Sequence, residues 1–468
     1  MHRTDHDFTT GSIPRHLIAF SWPLFAGNLL QAFYNVVDSI WVGHFVGANG
    51  LGAVSVSFPV IFALIALVVG LTMATTTLVA QFKGAGRHDM VRKVNGNSVL
   101  LLVYLGTLTT VVGLSVSGPL LRLINTPADI FPMAHQYLTV FLLGLPLMFI
   151  YNAVSAILRG LGDSRTPLRF LFYATVINVI LDPVLIIGIG PIPALGVGGA
   201  ALATVIAQGV ATVIGVRYLV RIGLLKVDSW RIDRELTRTT FRIGIPAGVQ
   251  QSLVSLSIVA VSSLINRYGA DVVAGFGAAN RIEQFAFLPA MSVGLAVSAL
   301  VGQNLGAGRD ERVGQIVWWS SALSTGITFA VMLVVLALPE VLLRLFTSDP
   351  AVLQHGGEYL RIMAFSYIPM ALMFTIGGVM RGAGDTAANM WITLGSLWLV
   401  RVPLAWYLSS GLGLGIRGVW WAMLASPIAG SLLNYLYYRT GRWKRHVVVR
   451  RQPAGAAEAE LSTGGASP

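Results

Sequence analysis

Three acids in this chain sit where water is scarce: Asp38, Asp182 and Glu283. Each lies well inside a long apolar segment, whereas nearly all the other Asp and Glu fall in connections or at segment ends. A carboxylate in hydrocarbon costs roughly 2.5–3.5 kcal/mol on insertion scales, so an acid placed there points to a function. The chemistry open to it is reversible cation binding. Burial favours the neutral acid, and a second carboxylate nearby favours it further for one of the pair. Such a pair can take up and release a proton near neutral pH. The same oxygens, with the Asn178 amide, could instead hold a hard cation such as Na+. Asn178 and Asp182 are spaced i, i+4 and share a helix face. Pro183 lacks a backbone N–H and frees a carbonyl one turn back, which makes this stretch polar and bendable. Structural readings stand beside the functional one. Asp38 could serve a buried hydrogen bond to Asn35 or a neighbouring hydroxyl, and Asp182 could stabilise a kink. Glu283 lies closer to a membrane face. It either pairs with Arg401 or contacts substrate in the second half of the chain.

The elements that must position these groups are membrane helices. Of 468 residues, 55% are hydrophobic and 11% charged, with a mean hydropathy of +0.72. Soluble domains carry about 25% charged residues. Twelve apolar segments follow one another, near 15–42, 52–78, 94–118, 130–157, 168–190, 197–219, 239–266, 273–301, 313–338, 353–379, 388–410 and 417–438. Runs of this length read as spanning helices, whereas a barrel would show alternating segments of about ten residues. The expected class is an all-α polytopic membrane protein. The first segment is too long for a cleavable signal peptide and lacks a small-residue cleavage site. The chain has no cysteine, which excludes disulfides and thiolate metal sites.

The net charge of +12 is distributed by topology. Basic residues crowd the N-terminus, the connections around 79–93, 158–169, 217–242 and 302–312, and the tail; the opposite connections hold few. By the positive-inside rule both termini are cytoplasmic. The charge then suits anionic lipid rather than nucleic acid. The expected layout is a cytoplasmic N-terminus (1–14), an N-terminal lobe (15–221), a linker (222–238), a C-terminal lobe (239–440) and a tail (441–468) that is basic and then disordered.

The lobes are repeats. Val-Ala-Gln-Phe-Lys-Gly-Ala-Gly-Arg at 79–87 returns as Val-Gly-Gln-Asn-Leu-Gly-Ala-Gly-Arg at 301–309, and Leu-Arg-Gly-Leu-Gly-Asp-Ser at 158–164 returns as Met-Arg-Gly-Ala-Gly-Asp-Thr at 380–386. Both offsets are 222 residues. Six helices per unit is even, so the units enter the membrane in the same sense. That predicts two parallel six-helix lobes with pseudo-twofold symmetry along the membrane normal and a cavity between them. The glycine-rich loops read as C-cap turns at the membrane face rather than phosphate cradles. The repeat also supplies a control. Asp38 aligns with Ala260 or Val261, Asp182 with Val402 and Asn178 with Trp398. A scaffold needs each structural position twice, yet these acids occur once, which places an ion site in the N-terminal lobe.

Aromatic and methionine residues suggest a pliable cavity for flat, apolar cations. Its candidate lining is Phe33, Tyr34, Asn35, Phe149, Tyr151 and Asn152 in the first half. Gln250, Met373 and Glu283 are the candidates in the second. Ordinary helix packing is the competing account of each.

The run Tyr-Asn-x-x-Asp-x-x-Trp-Val-Gly at 34–43, the Gln-x-x-Gly-Ala-Gly-Arg loops, the Arg-Gly-x-Gly-Asp loops and Asn-x-x-x-Asp-Pro at 178–183 together resemble the multidrug and toxic compound extrusion (MATE) transporters. The likeness covers residues 15 to about 440. It implies export of organic cations driven by inward H+ or Na+, with no cofactor beyond that ion. It also implies ion coupling through Asp38 with Asn178 and Asp182 nearby, and with Tyr137 as a further polar member. The C-terminal stretches that carry acids in some members hold Gln250, Gln251 and a Met-rich run here, which resembles the bacterial branch of DNA-damage-inducible efflux proteins. The expectation is therefore a monomeric, secondary-active antiporter of the bacterial inner membrane and not an enzyme. A lipid-linked oligosaccharide flippase of the same superfamily is the other reading. It would need basic residues lining the cavity, and only Arg281, Arg361 and Arg401 lie within segments.

Overall fold

The computed structural model describes residues 7–191, 193–226 and 231–449. The first half comprises α1 (Ile13–Phe45), α2 (Ala48–Gly84), α3 (His88–Leu123), α4 (Phe131–Gly160), α5 (Arg165–Ile187) and α6 (Val197–Arg221). The second half repeats the pattern with α7 (Arg234–Ile265), α8 (Ala270–Gly306) and α9 (Asp310–Ala337), then a short α10 (Pro339–Leu343). Its next span is α11 (Pro350–Met363), which runs through one 3-10 turn into α12 (Tyr367–Ala383). Another is built from α13 (Thr386–Leu394) and α14 (Val402–Trp406) with π-helical turns at Gly395–Arg401 and Tyr407–Gly411, and α15 (Ile416–Arg439) closes the half. Pro403 lies at the start of α14, where a missing backbone donor favours the wider winding.

Among the described residues eleven spans are long and apolar enough to cross a membrane. α1 is not one of them. Its 33 residues reach roughly 50 Å at 1.5 Å per residue, but Asn28, Gln31, Asn35 and Asp38 lower its hydropathy. This long helix, which lacks a sufficiently apolar run, is the one that carries the first candidate acid.

The packing is pseudo-symmetric. α1 lies between α5 of its own half and α8 of the other; α7 lies correspondingly between α13 and α2. Each half has its own apolar core. A third cluster gathers Phe8, Leu17 and Phe20 with α8, α9 and Trp443 at the end of the bundle that carries the termini. Where α2 crosses α7, a Cβ on Gly70 would run into the backbone of Gly244 and Gly248, so only glycine permits that approach.

Two boundaries differ from the sequence expectation. α7 starts at Arg234, inside the expected linker, because the Asp233 side chain accepts bonds from the Glu235 and Leu236 amides and caps it. The tail does not leave the bundle at 441. Arg442–His446 forms a 3-10 turn with Trp443 buried, and Val447, Val448 and Val449 pack onto the apolar clusters. The expected disorder of 450–468, and part of the linker at 227–230, lie outside the described residues.

Candidate ion site in the first lobe

The residues around Asp38 come from four helices. Asn178 and Asp182 on α5 are both fully buried. Their i, i+4 spacing is realised as a hydrogen bond, Asn178 Nδ2 donating to Asp182 Oδ1 at 3.0 Å. From α1, Tyr34 donates to Thr204 Oγ1 of α6 at 3.0 Å. The Asn178 amide also stands 3.5 Å from that same hydroxyl. Asp38, one turn beyond Tyr34, is half-buried. It lies within electrostatic reach of Asp182. The Tyr137 hydroxyl, from α4, feels Asp38, Tyr34 and Asp182. The structure thus brings Asp38, Tyr137, Asn178 and Asp182 together.

Three acceptors of this cluster are unfilled. Asp38 Oδ1, Asn178 Oδ1 and Asp182 Oδ2 are buried and find no hydrogen-bond partner among the described residues. A buried carboxylate oxygen without a donor is costly. A proton, or a hard cation with oxygen ligands, would supply what three such oxygens lack. The alternative, a hydrogen bond from Asp38 to Asn35, is not among those formed: Asn35 Oδ1 accepts from Gln31 and its carbonyl from Ser39.

The candidate cavity residues scatter. Phe33 and Asn35 are exposed on α1, and Tyr34 belongs to the ion cluster. Phe149 and Tyr151 pack inside the core of the first half, Phe149 against Gly106 of α3, so helix packing accounts for both. Asn152 turns back to the Met148 carbonyl at 2.8 Å. Gln250 is tied to Thr393 at 3.0 Å and to Asn389 at 3.1 Å, and Met373 is half-buried on α12.

Glu283 belongs to a cluster that sequence reasoning saw only in part. Its Oε2 accepts from the Tyr359 hydroxyl at 2.5 Å. Arg401, the expected partner, directs Nε to Ser426 Oγ at 2.7 Å and acts on Glu283 electrostatically. Tyr359 and Ser426 stand 222 residues after Tyr137 and Thr204. The second half therefore keeps the tyrosine and hydroxyl of the first, takes its acid from α8, and balances it with an arginine. The shared 222-residue offset was the signal that could have found Tyr359 and Thr204.

The comparisons with known proteins bear on this arrangement. The MatE family model matches twice, over residues 23–184 and 246–407. This chain belongs to the MatE family. The two matches cover the two halves, each once. As a MATE transporter it is 36% identical to "Probable multidrug resistance protein YpnP" of Bacillus subtilis (strain 168) over 94% of its own length and 98% of that protein's. It is 29% identical to "Probable multidrug resistance protein NorM" of Thermotoga maritima, over 94% and 95%. A solved MATE transporter in an outward-facing conformation superposes with a TM-score of 0.87 at 23% identity, over 97% of this chain and 100% of that one. This last likeness concerns the two-lobed MATE fold alone.

Proposed function

We propose that this MATE transporter is a secondary-active antiporter that exports small organic cations in exchange for inward H+ or Na+ taken up at Asp38 and Asp182. The observation that carries the reading is the set of three buried, unpartnered oxygens on Asp38, Asn178 and Asp182. The names of its relatives supply the class of cargo. Both termini face the cytoplasm of a bacterial inner membrane, a topology the basic connections support, and the protein works as a monomer.

The coupling element is α1. It is bound to the first lobe by Tyr34–Thr204 and to the second by Asn28, whose Nδ2 donates to Ser292 Oγ of α8 at 3.1 Å. Pro23 lies inside it and gives it a bending point. Neutralising Asp38, with Asp182, lets α1 settle against α5 and weakens the hold on a cationic cargo. Losing the ion on the cytoplasmic side restores the negative charge and the cargo site. The lobes alternate between the two openings around this event.

The three basic residues named for the flippase reading do not favour it. Arg361 pairs with Glu340 at 3.3 Å, exposed Arg281 lies over the Phe346 ring, and Arg401 is committed to Ser426. The test is efflux of a cationic dye from cells carrying Asp38→Asn or Asp182→Asn, with membrane-inserted protein measured alongside. Loss of efflux with normal insertion is expected, and full efflux by either variant would overturn the proposal.

A further inference from the structure

The glycine loops of the repeat do more than turn the chain. Gln81, near the end of α2, donates Nε2 to the Gly382 carbonyl at 2.9 Å. Gln303, near the end of α8, donates Nε2 to the Gly160 carbonyl at 3.0 Å. Gln81 and Gln303 are repeat partners at 222 residues, as are Gly160 and Gly382. Each half thus reaches across and holds the Arg-Gly-x-Gly-Asp loop of the other. Between them α2 and α8 meet backbone to backbone: a Cβ on Gly84 would strike the Gln303 carbonyl, and one on Gly306 the Gln81 carbonyl. Thr77 adds a bond to the Arg381 carbonyl at 2.9 Å.

The remaining amide oxygens are filled by the two ends of the chain. The Phe8 amide donates to Gln303 Oε1 at 3.2 Å, and the Val448 amide to Gln81 Oε1 at 2.8 Å. These segments have no repeat relationship, yet they occupy the two symmetry-related places. Neither is loosely held. Phe8 is 3% exposed, and its carbonyl accepts from Asn304 at 3.1 Å. Trp443, 2% exposed, anchors the tail. Both segments border one cleft of about 1420 Å³, lined also by Arg87 and Arg309 of the two loops.

We propose that Gln81 and Gln303 are the positioning residues of a gate at the end of the bundle that carries the termini, and that the segments around Phe8 and Val448 are its keepers. The gate goes beyond the ion site, and its test needs neither the ion nor the cargo. Opening this end must break both glutamine bonds and release both chain ends, so each bond adds to the population of the closed form.

The chain's lack of cysteine makes the test clean. Ser298→Cys introduces one thiol at a buried position on α8, one turn inside the contact between Gly302 and Ala80. The rate at which a water-soluble maleimide labels it in purified full-length protein reports opening, without cargo or ion gradient. Gln81→Leu and Gln303→Leu each remove two of these bonds and, at about fivefold per hydrogen bond, should each speed labelling about 25-fold, and the pair about 600-fold. Val448→Pro removes only the donor to Gln81 and should give about fivefold; Val447, at φ −58° and ψ 122°, already suits a following proline. It decides the matter even where the glutamine variants fold poorly. Unchanged labelling across the set would overturn the gate. Faster labelling in the glutamine variants with Val448→Pro unchanged would overturn the role assigned to the tail. Because labelling needs no transport, neither result depends on Asp38 or Asp182.

Discussion

Replacing Asn178 with leucine separates the ion site from the fold. The two side chains branch alike at Cγ with equal numbers of heavy atoms, but leucine is the bulkier at this fully buried position, so insertion is measured alongside. The amide's Oδ1 has no partner, so its loss leaves nothing else unsatisfied. What disappears is the 3.0 Å bond to Asp182 Oδ1. A hydrogen bond to a charged group contributes about 1.5–3 kcal/mol, a factor of about 10–150 against the ionised form of Asp182. The amide serves the ionised carboxylate, which without it loses this donor. In a proton-driven cycle the pH curve of dye efflux, followed in vesicles from pH 5.5 to 9, should change, with efflux down by up to that factor. In a sodium-driven cycle the same change removes one ligand oxygen and raises the sodium concentration needed for half-maximal transport. An unchanged pH curve together with an unchanged sodium requirement, in properly inserted protein, would refute the role given to Asn178.

Tyr34→Phe and Thr204→Val should each slow efflux severalfold, and a double-mutant cycle should return a coupling of about 0.5–1.5 kcal/mol, since one bond joins the pair. Additive losses would show that α1 is not tied to α6 through these groups. Glu283→Gln should preserve export, because the Tyr359 hydroxyl keeps an acceptor; Glu283→Leu should destabilise the protein by about 1–3 kcal/mol, measured as a fall in the midpoint of thermal unfolding in detergent. At the N-terminus, partial burial works against the Asp7 charge, but bonds from the Thr9 side chain and amide, with the nearby Lys83 charge, hold its carboxyl below the ordinary value of 3.8. A depressed carboxylate stabilises above its unfolded value and loses that contribution only as pH falls through the folded one. Docking of the Phe8 segment should therefore be unchanged from pH 8 to pH 5, checked by protease protection of the first residues.

Much of the architecture could be read from spacing. The apolar runs located the spans within a few residues, and the two motif pairs at one offset predicted the duplication that the family matches describe. The pair Asn178 and Asp182 was legible because helical spacing leaves no choice of face. The partner of Glu283 was not. Coulombic pairing pointed to Arg401, but a phenol from the repeat position of Tyr137 sits closer, and the arginine found a hydroxyl instead. The glutamines at 81 and 303 were hidden in plain view. Their loops read correctly as turns, with Gly86 at φ 72° and Gly308 at φ 70°, and nothing in a local motif says that a side chain reaches into the opposite half. The tail misled for a related reason: Arg442, Lys444 and Arg445 suggest a basic cytoplasmic tail, while the single indole of Trp443 holds the segment down.

The central claim is that cation exchange at Asp38 and Asp182 drives export. Its most direct test is transport of a cationic dye in proteoliposomes, with a proton gradient or a sodium gradient imposed one at a time. The account predicts that one gradient drives uphill dye movement in the unaltered protein and that Asp38→Asn and Asp182→Asn abolish it. Gradient-driven movement that persists in both variants would contradict it.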